Sequence, residues 1–229
     1  MTPGAIVLLP CAQRSEAWRQ ARCGVVTATA AAAVMARGRS GGEAAARAAL
    51  RTRLVVERLT GRPIDDTRVV TADMARGIQL EPQARVRYAA ATGQAVRTVG
   101  FVRRTDLAAG CSPDGLVGED GGVEIKCPRS TTHWRYVRAG GTPPDYRWQI
   151  VHSLVVTGAR WWEFVSYDPR FPEDMQLVVW RVSAAAAPLA AYERELRRFL
   201  AEVDRAVEAR RAATTGWLWA RRIPNGAAA

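Results

Sequence analysis

The sequence predicts an α/β fold: a central mixed sheet flanked by helices, with helical additions on the N-terminal side and a long C-terminal helix. Three observations predict it. Apolar residues recur at helical spacing through most of the chain up to residue 92. The pattern then changes to short apolar runs bounded by Gly, Pro, Asp and Ser, as strands and turns require. A charged segment at 188–213 returns to helical spacing. With 229 residues the chain can bury a self-supporting core. One domain accounts for it, with a core over 15–182, the helix at 188–213 and a mobile tail after residue 224.

The elements follow in order. A short helix fits 14–22 and ends near Gly24. Val25 and Val26 lead to Thr27, an N-cap for an alanine-rich helix reaching Met35. Residues 37–42 (RGRSGG) form a basic loop. Helical spacing resumes over 43–59 and stops at Gly61–Pro63. The next helix, 71–92, ends at Gly93 and places Gly77, Leu80, Ala84 and Tyr88 on one face. Val96, Val99–Val102, the 107–117 stretch and 122–127 read as three strands separated by turn residues. Asp120-Gly121-Gly122 is the strongest hairpin signal. Helices at 131–139 and 144–157, then apolar strands at 161–168 and 175–182, complete the core.

Composition narrows the function. No stretch approaches the ~20 apolar residues of a membrane span. The apolar patch near the N-terminus lacks a basic region before it, so a cytosolic location is expected. The four cysteines are widely spaced and form no CxxC pair, which favours buried thiols over disulfides or zinc. A net charge of +11 and a pI of about 10.6 favour a polyanionic partner. An arginine-biased composition is the plainer explanation of that charge. Yet only one of the 33 basic residues, Lys126, is lysine. A lone lysine suggests a position that needs a compact ammonium in place of a planar guanidinium.

Lys126 lies in the stretch that carries chemistry. Ser112-Pro113-Asp114-Gly115 is followed, nine residues on, by Glu124-Ile125-Lys126. On a strand Glu124 and Lys126 share a face while Ile125 points into the core. A tight hairpin brings Asp114 beside them. Two carboxylates and an ammonium at one point suit phosphodiester hydrolysis. Carboxylates are the hard ligands Mg²⁺ prefers, the Ile125 carbonyl is a further ligand at the strand edge, and a lysine can position water and offset charge on phosphorus. The plainer reading is a solvated Glu-x-Lys face and a simple turn at Asp114-Gly115.

At these residues the chain resembles the lambda exonuclease or YqaJ-like viral recombinase family of the PD-(D/E)xK superfamily, whose core is restriction-endonuclease-like. The resemblance runs in order over about 15–182. It starts with Trp18, Arg22 and Gly24-Val25-Val26-Thr27-Ala28-Thr29, then Gly77-x-x-x-Glu81-x-x-Ala84-Arg85-x-x-Tyr88. Cys111-Ser112-Pro113-Asp114-Gly115-Leu116, Glu124-Ile125-Lys126-Cys127-Pro128, Tyr146-x-x-Gln149 and Tyr167-Asp168-Pro169 follow. The resemblance implies one or two Mg²⁺ ions (or Mn²⁺) on Asp114, Glu124 and the Ile125 carbonyl, with Lys126 orienting the attacking water. Glu81 would bind or tune a second metal position, and Gln149 would support the centre, with Tyr146 a weaker candidate. A 5′-phosphate pocket would map onto Arg22, Thr29 and Ser112, with threonine at 29 where serine is usual. The implied activity is digestion of double-stranded DNA from its ends, 5′ to 3′, leaving 3′ tails for recombination by strand annealing. A ring-shaped homotrimer and a single-strand annealing protein are the implied partners, in a bacterial or phage-infected cell. The 37–42 loop is expected to line the ring's channel. Leu189, Tyr192, Leu196, Phe199 and Val203 offer a subunit contact or plain core packing. A site-specific or structure-specific endonuclease and a catalytically silent DNA-binding protein are the competing readings. Iron–sulfur nucleases are disfavoured because no cysteine cluster follows the core.

Overall fold

The computed structural model describes residues 5–38, 41–64 and 71–220, with side chains to residue 213. Strands β1 (Ile6–Leu9), β2 (Val26–Thr27), β4 (Phe101–Arg104) and β5 (Ala109–Cys111) form one sheet in the order β1-β4-β5-β2. Strands β3 (Val96–Arg97), β6 (Gly115–Val117), β7 (Gly121–Lys126), β8 (Trp161–Tyr167) and β9 (Leu177–Ser183) form the second, in numerical order. Both are mixed: β2 pairs with β5, and β7 with β8, in parallel, while the other pairings are antiparallel. The mixed sheet flanked by helices is therefore present, but the strands divide between two sheets. The expected single strand over 107–117 breaks at Ser112-Pro113-Asp114, where the chain crosses from one sheet to the other. The hairpin turn falls at 118–120, two residues before the sequence signal at 120–122.

Helices α1 (Glu16–Ala21), α2 (Ala31–Met35), α3 (Ala45–Thr60), α4 (Ala72–Thr92), α5 (Ser130–Ala139), α6 (Arg147–Thr157) and α7 (Leu189–Ala220) cover the sheets. The α4 boundaries follow from local chemistry. Thr71 Oγ1 accepts from the Met74 N–H at 3.2 Å, and Gly93 closes the helix in the left-handed conformation (φ 67°) that side chains disfavour. Thr27 stands at the start of a 3₁₀ turn, Ala28–Ala30, but its hydroxyl makes no cap bond.

Three apolar clusters fix the layers. Val34 of α2, Leu54 of α3, Val151 of α6 and Leu196 of α7 pack on Val102 of β4. Ala84 and Tyr88 of α4 pack on Val123, Ile125 and Val165. Tyr136, Ile150 and Leu154 cover the opposite face of the second sheet through Trp162 and Phe164. Helix α6 touches β4, β5 and β8, so it ties the two sheets together. Strand β7 is buried from Gly121 through Ile125. Its two glycines are needed there: a Cβ at Gly121 would meet Trp161 at 2.1 Å, and one at Gly122 would meet Trp162 at 2.4 Å.

Of the two readings left open for the 189–203 stripe, core packing is the one the structure shows. Tyr192, Leu196, Phe199 and Val203 are completely buried in their own chain, so the stripe is core and offers no subunit contact. Within the 37–42 loop, Arg37 is engaged by Glu195 at 3.1 Å, and Arg39 and Ser40 lie outside the described residues. The tail after residue 224 also lies outside them.

Candidate functional site

The antiparallel register pairs Gly115 with Val123 and stops there, so β7 runs three residues, Glu124 to Lys126, beyond the point where β6 begins. Asp114 occupies the vacated edge. Its Oδ2 accepts the Ile125 N–H at 2.6 Å, replacing the strand partner that is missing at that position. A residue's N–H and C=O leave an extended strand on the same side. The Ile125 carbonyl therefore faces Asp114 as well. Ile125's own side chain points away into the apolar cluster beneath α4.

Glu124, on the other face of β7, is 3% exposed. Its Oε1 accepts from Lys126 Nζ and, at 2.5 Å, from Gln149 Nε2 on α6. Tyr146, in the 3₁₀ turn Pro144–Tyr146 before α6, places its ring 5.4 Å from the Lys126 ammonium. Asp114, Glu124, Ile125, Lys126, Gln149 and Tyr146 thus converge as the sequence predicted.

Electrostatics set this group apart. The Asp114 carboxyl is pushed up to about 8, first by burial and then by the charges of Glu124 and Glu81. The Lys126 charge and the Ile125 N–H offset only part of that. Burial alone would lower the Lys126 ammonium, but Glu124 and Asp114 outweigh it and hold the group above its ordinary value. The centre carries more negative charge than its one lysine neutralises, which is the condition that favours a bound cation. Among the described residues no three His, Cys, Asp or Glu side chains are gathered tightly enough to hold an ion unaided. The donor set, two carboxylates and a backbone carbonyl, fits a hard cation that keeps part of its water shell, as Mg²⁺ does.

Glu81, on α4, stands further out. Arg85 holds its Oε1 at 2.5 Å, and Arg14 lies 3.7 Å from Oε2. Glu81 therefore reaches Asp114 through its charge. An open groove of about 640 Å³ runs from Asp114 and Glu81 past Gln13, Arg14, Arg85 and Arg97.

A second depression lies beside α1, lined by Trp18, Arg22 and Thr27. Trp18 Nε1 donates to Ser112 Oγ at 2.8 Å, Arg22 Nη1 approaches the same oxygen at 3.5 Å, and the Arg22 guanidinium stacks 4.0 Å over the Trp18 ring. Arg22 and Ser112 are thus brought together. Thr29 is exposed and joins them only through Thr27, whose hydroxyl is 3.4 Å from its own. Thr27, Trp18 and Arg53 line the depression; the first two were read from sequence within the opening block of the resemblance, with no binding role, and Arg53 was not singled out. The four-residue spacing of Trp18 and Arg22 was the available signal, since it places both on one helical face.

Comparisons with known proteins agree with this geometry. The fold matches two crystal structures of LHK-Exo, an alkaline exonuclease from Laribacter hongkongensis, one of them in complex with dAMP. Each is 40% identical, with a TM-score of 0.76, covering 88% of this chain and 100% of the other. A phage-related exonuclease from Haemophilus somnus 129PT shares the fold at a TM-score of 0.59 and 11% identity, covering 81% of this chain and 96% of its own. Comparison with curated proteins gives no match. The class so defined is a nuclease with the alkaline-exonuclease fold. Within that class the chain belongs to the YqaJ-like viral recombinase family, whose domain is matched over residues 17–160. Among the described residues no helix is long and apolar enough to cross a membrane.

Proposed function

We propose that the protein is a Mg²⁺-dependent exodeoxyribonuclease that digests duplex DNA from its ends, 5′ to 3′, and leaves 3′ tails for recombination by strand annealing. The observation that carries this reading is the convergence of Asp114, Glu124, Lys126 and the Ile125 backbone where β7 outruns β6. That point lies two residues from the Trp18–Arg22–Ser112 depression. The 40%-identical relative was crystallised with dAMP, a deoxynucleoside monophosphate such as stepwise hydrolysis of DNA releases.

Asp114, Glu124 and the Ile125 carbonyl would hold the metal, which when bound lowers the pKa of water and withdraws charge from the phosphate. Lys126 orients the attacking water and balances charge developing on the phosphoryl oxygens. Gln149 fixes the Glu124 carboxylate, and Tyr146 keeps the ammonium in place from the far side. Glu81 tunes a second metal position by its charge. Arg22 and Ser112, with Thr29 behind Thr27, take the terminal 5′ phosphate, for which a guanidinium's paired donors are suited. One nuclease domain, a ring-shaped homotrimer, an annealing partner and action in the cytoplasm of a bacterial or phage-infected cell belong to the same proposal. Light scattering tests the ring, and a monomer mass would remove it.

The deciding experiment is digestion of a duplex labelled separately at each 5′ and 3′ end, with Mg²⁺ and with EDTA. Release of the 5′ label first, only with Mg²⁺ and faster from phosphorylated ends, is expected. First release of the 3′ label would reverse the polarity. Equal rates on 5′-phosphate and 5′-hydroxyl ends would remove the pocket assignment. Cutting of covalently closed circles would establish the endonuclease reading.

A further inference from the structure

We propose that Arg14 binds a backbone phosphate of the DNA strand entering the groove that leads to Asp114; this rests on the nuclease reading above. Arg14 is the one non-glycine residue among those described with a positive φ, 71°. A side chain disfavours that conformation, and glycine would occupy it freely. The loop between β1 and α1 imposes the conformation from both sides. Before Arg14, the Gln13 side-chain amide donates to the Val99 carbonyl at 3.1 Å and the Pro113 carbonyl at 3.0 Å. After it, Ser15 Oγ accepts from the Trp18 N–H at 3.2 Å and caps α1. Within the loop's own hydrogen bonds Arg14 supplies only its backbone carbonyl, to Arg19 at 3.2 Å, which any residue would supply. The strained position therefore keeps an arginine for its side chain.

That side chain stands in the groove with Asp114 and Glu81 and is 54% exposed. It forms a loose ion pair with Glu81 at 3.7 Å, beyond hydrogen-bond reach, on a carboxylate that Arg85 already grips at 2.5 Å. Arg14 is thus a cation beyond what Glu81 requires. A polyanion approaching the groove carboxylates Asp114 and Glu81 meets repulsion, and a guanidinium at the groove wall offsets it while presenting paired donors to phosphate oxygens. Because Gln13 ties this loop to the Pro113 carbonyl, a phosphate held by Arg14 is placed in register with the Asp114 edge.

The test measures binding of a 5′-phosphorylated duplex by fluorescence anisotropy in EDTA, over a range of salt, for wild type, Arg14→Gly and Arg14→Lys. Losing one charge-assisted contact should weaken Kd by about tenfold in Arg14→Gly. The same loss should make the salt slope shallower by about one unit. Arg14→Lys should keep the slope. Melting temperature should hold or rise in Arg14→Gly, because the backbone strain is relieved. Wild-type Kd and slope in Arg14→Gly would overturn the proposal, as would a loss confined to kcat, which would mean that Arg14 acts through Glu81. Lower melting temperatures in both variants, with binding lost in parallel, would assign Arg14 a structural role instead. Parallel digestion by wild type with Mg²⁺ separates the two readings: absence of cleavage would defeat the nuclease function, while the anisotropy comparison would still decide Arg14.

Discussion

Asp114 and Asp168 each sit one residue outside a strand of the second sheet, and their carboxyls are driven in opposite directions. Asp114 is pushed up to about 8, and Asp168 is held down at about 2. Burial raises both. At Asp168 it is outweighed by hydrogen bonds from the Arg170 side chain, Ser130 Oγ (2.7 Å) and the Arg170 N–H, and by the Arg170 charge. Arg76 adds a contact at 3.1 Å. Asp114 receives one backbone N–H and faces two further carboxylates with a single lysine to balance them. A completed network of this kind ties α4 and α5 to the strand end. An uncompensated one is stability forgone for chemistry, the usual mark of a functional centre.

The largest effect that could break this comparison is catalytic. Asp114→Ala, Glu124→Ala and Lys126→Ala should each lower kcat by at least about 10³-fold, because members of one catalytic unit fail together. The urea midpoint of Asp114→Ala should hold or rise, since it removes part of an uncompensated charge group, whereas that of Lys126→Ala should fall, because the one cation balancing Glu124 and Asp114 is gone. Lys126→Arg should fail as well, because a planar guanidinium cannot replace the ammonium. Near-normal turnover by any of the four would detach the chemistry from this site.

Asp168→Ala should do the reverse. Losing the charge-assisted bonds that Asp168 makes with Arg76, Arg170 and Ser130 should cost about 2–3 kcal/mol, because both arginines stay in reach of water, read from the urea midpoint, while the folded fraction keeps its turnover. A stable Asp168→Ala protein with lost activity would place Asp168 in the catalytic machinery.

Acid sharpens the contrast. His152 is completely buried, with Nε2 3.0 Å from the Gly110 carbonyl and Nδ1 2.7 Å from the Tyr192 hydroxyl. A carbonyl only accepts, so Nε2 carries the proton and Nδ1 accepts from Tyr192. Burial lowers the ring to about 4; the Gly110 bond opposes this and the Arg104 charge assists it. The folded state therefore keeps His152 neutral where the unfolded chain protonates it. The His152 contribution to stability is intact above about pH 6.5 and falls by about 3 kcal/mol as pH drops to 4. Asp168 adds loss only below its unfolded value near 3.8, because its folded pKa is the depressed one. Protonation of Asp114, whose folded pKa is the raised one, stabilises the fold over the same range and masks this loss in wild type. Urea midpoints between pH 7.5 and 4.5 should therefore show the His152 slope in an Asp114→Asn background, and adding His152→Gln should flatten it.

The smallest effect is ligand-linked. Mg²⁺ at ten times its Kd should stabilise wild type by about 1.4 kcal/mol. That should raise the melting temperature by about 3–5 °C, and neither Asp114→Asn nor Glu124→Gln should respond. An equal shift in those variants would move the ion away from them.

Much of the site was legible because it is local. Glu124, Ile125 and Lys126 alternate on one strand, and strand geometry alone assigns their faces. The helix over 71–92 was marked by Thr71 and Gly93. The division into two sheets was not legible, since it depends on Val26–Thr27 pairing with Ala109–Gly110 across the chain. The apolar residues on either side of Pro113 read as one run for the same reason. Periodicity also cannot tell a core stripe from an interface, so Tyr192 through Val203 fitted both until α7 was seen packed beneath α3 and α6. The left-handed Arg14 left no trace in the pattern, because only its neighbours' long-range bonds impose it.

The solitary lysine has a chemical corollary. Apart from the N-terminal amine, the chain's only amine is the Lys126 ammonium, with 28% of its side chain exposed and Glu124 against it. Its raised pKa keeps it protonated and a poor nucleophile toward acylating reagents. Amine-selective labelling followed by intact-mass measurement is therefore a probe of the proposed catalytic centre. A second acyl group should appear slowly in the folded protein, and faster in Glu124→Gln, where the ion pair is gone.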